Sequence, residues 1–326
     1  MEIPNSHSHP FLDIRDTPKN LYGVVSRFLH GNVERRSNAI QKILRFLPTK
    51  KSRYLAAYLD TIDNTDEERL LADLTYHTVT VGICVDLHHM GAGTCTRKYD
   101  DQVAEAVHLK KKYPGRVKVA VMLDPNRPDI YKFAKRWQHQ VDAWKLYPTW
   151  YYVTDRRLRG ILTDFPKPVI VHCTDTSPIH FEGSRKDLKK KLGENADKYR
   201  SLKSKAWNCQ FFSHPKYIYE MSKLYPNITW ICAHAGGKNA ERRRYIIDRV
   251  CDNFIMDDSF TYTDEDEIQE LIGLLATCGD YVLHGTDFFM TKIKTEYQRQ
   301  ILTYEKNVPA YLKEKQVRLF NRVFYT

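Results

Sequence analysis

Two histidines near the start of the chain, His7 and His9, have the spacing of a metal-binding pair. On an extended strand, side chains two residues apart point to the same side, so both imidazoles could reach one ion. Neutral imidazole nitrogen is a common ligand of divalent first-row metals. A His-x-His pair in a polar stretch also arises by chance, so ligands from elsewhere in the chain have to support the assignment.

Three further side chains of metal-binding or acid–base type stand at the ends of short apolar runs: His172, His234 and Asp287. A single histidine at a strand end is more typical of hydrogen-bonded structure than of a metal site. Five such residues, each at the end of a predicted strand, are difficult to attribute to chance. They can act together only if the strand ends converge, and this depends on the fold.

The apolar runs predict that fold. Eight short apolar segments alternate with helix-like segments, which indicates a parallel sheet buried on both faces. The predicted strands are the segment that ends near His9 and residues 79–87, 117–123, 141–147, 168–173, 228–234, 253–257 and 281–287. Eight strands favour a closed (β/α)8 TIM barrel over an open sheet, and 326 residues suit a single barrel domain over 1–326. In such a barrel the C-terminal strand ends surround one site.

Helical periodicity is predicted between these strands, and two insertions interrupt the alternation. The helical segments are Glu67–Leu74, Asp100–Lys112, Ile130–His139, Pro215–Tyr225, Ala240–Cys251 and Asp264–Cys278. The first insertion, residues 11–77 after the first strand, has further helical periodicity at Val24–Leu29 and Ala39–Leu47 and is expected to cover one end of the site. The second insertion, residues 175–214, separates the fifth strand from its helix.

The chain is basic, and much of the excess lies in the second insertion. The formal charge is +11, and Ser184–Lys205 holds nine basic against three acidic residues. Clustered charge is more typical of a solvated loop than of a binding surface, so nucleic acid is an alternative partner and not the leading one. The run Arg242–Arg244 is likewise expected on a solvated helix face, since consecutive helical residues point in different directions.

Cysteine usage and hydropathy bear on the compartment. Seven cysteines are scattered without a Cys-x-x-Cys pair, which suits reduced thiols in a cytoplasmic protein. No basic-then-apolar signal region opens the chain, and no stretch approaches the ~18 apolar residues needed to span a bilayer. We expect a soluble cytoplasmic protein without a membrane partner, and a homo-oligomer is compatible with the sequence.

The ordered set of motifs resembles the metal-dependent amidohydrolase superfamily, and most closely its amidohydrolase-2 branch of hydrolases and nonoxidative decarboxylases. The similarity extends over nearly the whole chain. The motifs that carry it are Ser6-His7-Ser8-His9, Asp124-Pro125-Asn126-Arg127-Pro128, Trp144-Lys145-Leu146-Tyr147-Pro148, Val171-His172-Cys173, Ser213-His214-Pro215, Tyr225-Pro226-Asn227, Ala233-His234-Ala235-Gly236-Gly237 and Gly285-Thr286-Asp287. No single motif is specific, but their order and spacing together are. The two insertions depart from the family pattern.

The resemblance implies a metal-dependent enzyme. The implied ligands of one divalent ion are His7, His9, His172 and Asp287, with zinc expected and manganese or iron as alternatives. The ion would lower the pKa of a bound water from ~15.7 to ~7 and so supply hydroxide at neutral pH. Asp287 would also act as general base. His234 would polarise the substrate carbonyl or, in a decarboxylase, protonate the carbon.

Lys145 is the ambiguous member of the set, because some relatives carry here a lysine that is carboxylated by carbon dioxide and bridges two metals. We favour an unmodified lysine and one ion, since a cationic Lys145 could hold an anionic substrate. Arg127, after the third strand, and His88, after the second, are further candidates for substrate binding. Lys145, Arg127 and the basic insertion predict a positive site mouth and therefore a small anionic substrate.

Four functions are compatible with these residues. Hydrolysis of an amide, lactone or amidine leads, and nonoxidative decarboxylation on the same ligands is second. A TatD-like or PHP-like nuclease or phosphoesterase is third, because such barrels also begin with His-x-His. TatD-like enzymes place a glutamate where Lys145 stands, and PHP enzymes end in Asp-x-His, where this chain has Asp287-Phe288-Phe289. A non-catalytic binding barrel ranks last, because all five candidate residues are present.

Overall fold

The structure is a computed structural model that describes residues 3–12, 14–16, 65–174, 178–180, 184–193, 206–208, 212–259, 265–287, 302–304 and 306–325. These ranges contain the strands β1 (Asn5–Ser8), β2 (Thr80–Cys84), β3 (Val117–Met122), β4 (Ala143–Leu146), β5 (Val169–Val171), β6 (Pro178–His180), β7 (Ala206–Asn208), β8 (Trp230–Cys232), β9 (Phe254–Asp257) and β10 (Val282–Leu283). All except β6 and β7 belong to one eight-stranded sheet in the order β1-β2-β3-β4-β5-β8-β9-β10. Every neighbouring pair in it is parallel.

Backbone hydrogen bonds also join the first and last strands of this sheet. The Ser6 N–H donates to the His284 carbonyl at 2.8 Å, and the Asp287 N–H donates to the His7 carbonyl at 2.8 Å. The sheet therefore forms a nearly closed barrel. The prediction of a (β/α)8 TIM barrel is confirmed.

Helices alternate with the strands. They are α1 (Asp66–Asp73), α2 (Tyr99–Lys112), α3 (Ile130–Trp137), α4 (Arg156–Asp164), α5 (Arg185–Leu192), α6 (Pro215–Leu224), α7 (Ala240–Ile247), α8 (Glu265–Cys278) and α9 (Ala310–Phe324). The six predicted helices of the described ranges are present, although α7 ends before the predicted Cys251. Helices α4, α5 and α9 were not predicted.

Local sequence signals start several helices. The Thr65 side chain accepts a hydrogen bond from the Glu68 N–H, and the Glu68 carboxylate accepts one from the Thr65 N–H, which forms a capping box at α1. Ser184 and Asp187 make the same reciprocal pair at the start of α5. The basic insertion therefore contains a defined helix, because its cap is strong although its face is mostly lysine and arginine.

Strand β4 shows how burial on both faces positions the site. The indole N–H of Trp144 donates to the carbonyl of Phe165, which caps α4, so this side chain faces the helical layer. The next residue along a strand points to the opposite face. Lys145 is therefore directed into the barrel, where it is fully buried and contacts His7.

The first insertion is described only at its two ends. The helical predictions at Val24–Leu29 and Ala39–Leu47 lie outside the described residues. The ends are bound to each other through Arg97, whose guanidinium contacts Asp16 and pairs with Asp66 at 2.7 Å. This ion network fixes where the insertion leaves the barrel and where it returns.

The second insertion contributes β6 and β7, which pair antiparallel, in addition to α5. Its described parts thus form a ribbon and a helix that were not predicted. Within the described ranges, no helix combines the length and the apolar character needed to cross a bilayer.

Gly82 of β2 leaves the space that the Phe11 ring occupies. A Cβ built on Gly82 would lie 2.8 Å from Phe11 Cζ. Gly82→Ala should lower the free energy of unfolding by ~1–3 kcal/mol, because the buried ring or the strand must shift. Gly160→Ala in α4 is the control, since the nearest atom to its Cβ is Tyr131 Cε2 at 3.9 Å. The control should raise the free energy of unfolding by ~0.5–1 kcal/mol. Urea unfolding measures both, and equal effects would contradict this packing.

Candidate active site

Side chains from six strands meet at the C-terminal end of the barrel. They are His7 and His9 of β1 and its end, Lys145 of β4, His172 after β5, His234 after β8, Asp257 of β9 and Asp287 after β10. All are buried, and the most accessible, Asp287, is 7 % exposed. The His7 ring centroid lies 5.3 Å from that of His9 and 4.9 Å from that of His234. The sequence predictions named every member of this set except Asp257.

His7, His9 and Asp287 form a group that can share one ion. The Asp287 Oδ1 atom lies 3.2 Å from His9 Nε2 and 3.6 Å from His7 Nε2. One ligand atom from each residue lies within 4.8 Å of the others. Asp287 has a φ of 52°, a left-handed conformation that is uncommon outside glycine, and its hydrogen bond to the His7 carbonyl holds it there. The structure thus brings together three of the four ligands that the resemblance implies.

Asp257 belongs to a second such group, with His7 and His234. Its Oδ2 atom accepts a hydrogen bond from His7 Nδ1 at 2.9 Å. Its Oδ1 atom accepts from the backbone N–H groups of His234 at 2.9 Å and Ser259 at 3.1 Å, and it also contacts the Ser259 hydroxyl. A carboxylate behind a metal-binding histidine commonly orients that ring. Asp257 ends the seventh predicted strand, so the strand-end rule could have selected it; no sequence signal singled out Ser259.

His172, the fourth implied ligand, belongs to neither group. Its Nδ1 atom lies 3.0 Å from His234 Nε2, and its ring stacks on that of Tyr147 with centroids 3.8 Å apart. The buried atoms His172 Nε2 and His9 Nδ1 have no hydrogen-bond partner among the described residues. Buried polar atoms normally have partners, so these two nitrogens are candidates to bind a ligand.

Both ring nitrogens of His234 are engaged. Nδ1 faces the Ser259 hydroxyl at 3.0 Å and the Ser259 carbonyl at 3.3 Å, and Nε2 faces His172. A carbonyl only accepts, so Nδ1 carries the proton and Nε2 is an acceptor. In this arrangement His234 has no N–H to offer to a substrate. The role that the resemblance implies, polarising a carbonyl or protonating carbon, would require the ring to exchange a partner.

Burial keeps the histidines neutral, and polar contacts keep the carboxylates ionised. Burial, followed by the charge of Lys145, lowers the pKa of His7; burial also lowers the pKa of His9 and brings that of His234 to about 4. Burial opposes ionisation of Asp287, but the hydrogen bond from His9 together with the neighbouring histidines outweighs it and holds the pKa of Asp287 below its usual range. Neutral imidazoles beside a carboxylate are the donor set that a divalent cation requires.

Lys145 is the buried cation of this group. Its Nζ atom lies 3.2 Å from His7 Nε2. Because His7 Nδ1 donates to the Asp257 carboxylate, Nε2 carries the lone pair, and Lys145 donates to it. The lysine therefore occupies the lone pair that a metal ion on His7 would need. Its predicted contact with substrate stays a prediction.

The other two predicted substrate ligands have protein partners. Arg127 is buried and donates to Asp100 at 2.5 Å and to Asp129 at 2.8 Å. Its positive charge is therefore paired with two carboxylates of the protein. His88 is exposed and bonds through Nδ1 to the Gly93 carbonyl at 3.2 Å. Arg127 is thus held as a structural cation here, and substrate contact by either residue stays a prediction.

Asp124, in the motif after β3, carries a further unsatisfied oxygen. Its Oδ1 atom accepts from the backbone and side-chain N–H groups of Asn126, both at 2.8 Å, whereas the buried Oδ2 atom has no partner among the described residues. Burial raises the pKa of Asp124 to about 7. This carboxyl group is therefore partly protonated at neutral pH, which distinguishes it from Asp287.

Arg242 corrects the expectation that Arg242–Arg244 lies on a solvated helix face. Its side chain is 4 % exposed and donates to the Ser213 carbonyl at 2.7 Å. A second contact joins its guanidinium to the Cys173 sulfur at 3.5 Å. Arg244, two residues further along α7, is exposed as expected. The helix buries one arginine because residues two apart point to different sides of it.

Comparison with known proteins finds similar folds and no similar sequences. An uncharacterized TIM-barrel protein from Bordetella bronchiseptica gives a TM-score of 0.59 at 12 % identity, over 99 % of both chains. An apo protein from Agrobacterium tumefaciens gives 0.53 at 9 % identity, over 99 % of this chain and 96 % of that one. A mutant organophosphorus hydrolase from Deinococcus radiodurans gives 0.46 at 10 % identity, over 99 % and 92 %. No family model and no curated protein matches. The first two structures show the shared barrel fold, and none shows an activity for this chain.

Lys145→Met should strengthen metal binding. Methionine keeps an unbranched side chain of similar reach but removes the N–H on His7 Nε2 and the positive charge beside the ion. We expect the zinc dissociation constant, measured by competition with a chromogenic chelator, to fall ~10-fold or more. Lys118→Met is the control, because Lys118 of β3 pairs with Asp142 at 3.6 Å, away from these residues. Weaker zinc binding by Lys145→Met would identify Lys145 as a ligand and contradict this interpretation.

Proposed function

We propose that this protein is a metal-dependent hydrolase of a small anionic substrate. The observation that carries the proposal is the group of His7, His9 and Asp287, whose buried ligand atoms lie within 4.8 Å of one another. The group stands at the C-terminal end of the barrel strands, where TIM-barrel enzymes carry their active sites. The barrel fold shared with solved structures supports that location, and the reaction rests on the side chains.

The residues fit a divalent cation. The imidazoles are neutral and Asp287 is ionised. His9 and His172, both implied ligands, each have a buried ring nitrogen without a partner among the described residues. We propose one ion, held by His7, His9, His172 and Asp287, with zinc as the first candidate and manganese or iron as alternatives. Bound there, it supplies Lewis acidity and lowers the pKa of water toward ~7.

The side chains around such an ion have separate tasks. Asp257 holds the His7 ring through Nδ1, so that Nε2 presents its lone pair to the ion once the Lys145 ammonium has moved off it. Asp287 is the ionised carboxylate that accepts the proton of the attacking water. Lys145 supplies the positive charge for an anionic group of the substrate. His234 orients His172 through the 3.0 Å contact between their rings.

Decarboxylation is the second candidate, and the position of the His234 protons favours hydrolysis over it. A nonoxidative decarboxylase must deliver a proton to carbon. His234 Nδ1–H is committed to Ser259, and Nε2 accepts from His172, so neither is available as an acid. Hydrolysis needs a proton acceptor at the water, and the ionised Asp287 meets that need.

A nucleic-acid substrate is not favoured. A site for single strands combines positive charge with aromatic side chains on which bases stack. Between Arg185 and Lys205 the only aromatic residue is Tyr199. Small carboxylates or phosphate esters are the substrate class we propose, because a single buried lysine can neutralise one anionic group.

Metal content and two variants test the proposal. Protein reconstituted with zinc, manganese or iron should hold about one ion per chain by plasma mass spectrometry under the four-ligand scheme. His7→Ala should lose the ion first. Asp287→Asn should keep much of the metal but lower turnover ~100-fold or more, because an amide oxygen can coordinate but cannot accept the proton. His77→Ala, a buried histidine bonded to the Ile3 carbonyl, is the control and should retain metal.

Two results would contradict this scheme. Failure to bind any of the three metals would remove the enzyme proposal. Equal metal loss in His7→Ala and Asp287→Asn, without a separate effect on turnover, would show that Asp287 is a ligand and not the base.

A substrate panel tests the chemical class. The zinc-loaded protein should hydrolyse at least one member of a set of small carboxylate or phosphate esters, lactones and amides, and Asp287→Asn should abolish that activity. Carbon dioxide release from small acids is measured in parallel, as is cleavage of single- and double-stranded DNA and RNA at low and high salt. Metal-dependent cleavage of nucleic acid that Asp287→Asn abolishes would overturn the small-anion proposal, and carbon dioxide release would establish the decarboxylase.

A further inference from the structure

We propose that Asp257 and Ser259 are a positioning pair that fixes which ring nitrogen carries the proton in His7, His234 and His172. Its meaning for catalysis rests on the proposed function, whereas the hydrogen-bond directions do not. One buried carboxylate thereby sets the protonation pattern of three histidines.

The first link is Asp257 to His7. The carboxylate Oδ2 atom lies 2.9 Å from His7 Nδ1, and an ionised carboxylate only accepts. Nδ1 of His7 therefore carries the proton, and Nε2 carries the lone pair. The 3.2 Å approach of the Lys145 ammonium, which only donates, to Nε2 requires the same assignment.

The second link is Ser259 to His234. The Ser259 hydroxyl donates to Asp257 Oδ1, with which it is in close contact, and so its oxygen accepts from His234 Nδ1 at 3.0 Å. The Ser259 carbonyl, 3.3 Å from the same nitrogen, gives the same direction. Nδ1 of His234 carries the proton, and Nε2 is an acceptor.

The third link is His234 to His172. The His234 Nε2 acceptor lies 3.0 Å from His172 Nδ1, which must then donate. The lone pair of His172 is consequently on Nε2, the buried atom that has no partner among the described residues. The hydrogen bonds of Asp257 and Ser259 thus determine which nitrogen of His172 is protonated. They leave the lone pair of His172 Nε2 available to bind a cation.

Asp257 also fixes the backbone that carries His234. Its Oδ1 atom accepts the His234 backbone N–H at 2.9 Å. His234 and the following Ala235 have φ values of 60° and 45°, a left-handed pair of residues that needs such support. Asp257 and Ser259 are fully buried. Water therefore does not reach them in this packing and cannot replace these hydrogen bonds.

Nitrogen-15 spectra of histidine-labelled, metal-free protein test the proposal, because protonated and bare ring nitrogens have distinct chemical shifts. Peaks are assigned through single histidine variants. In the wild type, His7, His172 and His234 should all carry the proton on Nδ1. Asp257→Asn should convert His7 and His234 to mixtures. Ser259→Ala should change His234 and His172 more than His7, because His7 Nδ1 loses its 3.2 Å contact with the Ser259 hydroxyl but keeps its bond to Asp257 Oδ2. Ser259→Thr should restore the wild-type pattern.

Asp258→Asn is the matched control. Asp258 is equally buried and adjacent in sequence, but it accepts from the Gly285 N–H and from Gln316, so its loss should leave all three rings unchanged. Zinc titration is the second measurement: Asp257→Asn should weaken binding by ~10- to 100-fold and Asp258→Asn by much less.

The outcomes separate this inference from the proposed function. An Nε2-protonated His7 or His234 in the wild type, or unchanged rings in both Asp257→Asn and Ser259→Ala, would overturn the positioning role. If Asp257→Asn fails to fold, the comparison of Ser259→Ala with Ser259→Thr still tests the positioning role. A wild type with the expected protonation pattern that binds no zinc would overturn the proposed function and leave the hydrogen-bond assignment intact.

Discussion

The hydrogen bond from the Asp287 N–H to the His7 carbonyl, 2.8 Å long, joins the end of the last barrel strand to the first. The whole candidate site depends on this seam, because it brings His7 and His9, on and just after the first barrel strand, beside Asp287, which follows the last barrel strand. The Asn5 side chain reinforces it by donating to Thr286 Oγ1 at 2.8 Å and accepting from the Thr286 N–H at 3.1 Å. Gly285 permits the close approach, since a Cβ there would lie 2.9 Å from the Cβ of His7.

The buried charges of the site do not cancel, because two carboxylates lie beside one ammonium. Two ionised carboxylates, Asp257 and Asp287, and one ammonium, Lys145, are buried among neutral imidazoles. Buried charges are tolerated only when they are paired and hydrogen-bonded. Asp257 meets this condition with four donors from three residues, whereas His9 Nδ1 and His172 Nε2 have no partner in the described part of the chain. The carboxylate that supports the histidines therefore has its hydrogen-bond partners. The two ring nitrogens that a ligand could bind have none among the described residues.

The barrel and most of the site could be predicted, because both follow from short-range patterns. Apolar runs mark strands that are buried on both faces, and polar residues at their C-terminal ends converge in any parallel barrel. Other features depend on tertiary neighbours that periodicity does not report. Arg242 is buried against Ser213, and Arg127 is held by Asp100 and Asp129, although both read as free charges in the sequence. Helix α5 was missed because lysines obscure its amphipathic pattern, and Ser259 because a serine after a strand carries no distinctive signal.

In the proposed site, residues at the ends of the first and last strands of the barrel bind one metal ion. X-ray diffraction from zinc-loaded crystals, recorded on both sides of the zinc absorption edge, tests it most directly. One anomalous peak per chain is expected at bonding distance, ~2.0–2.2 Å, from His7, His9 and Asp287. A peak bound by other residues, or no peak beside these three, would contradict it.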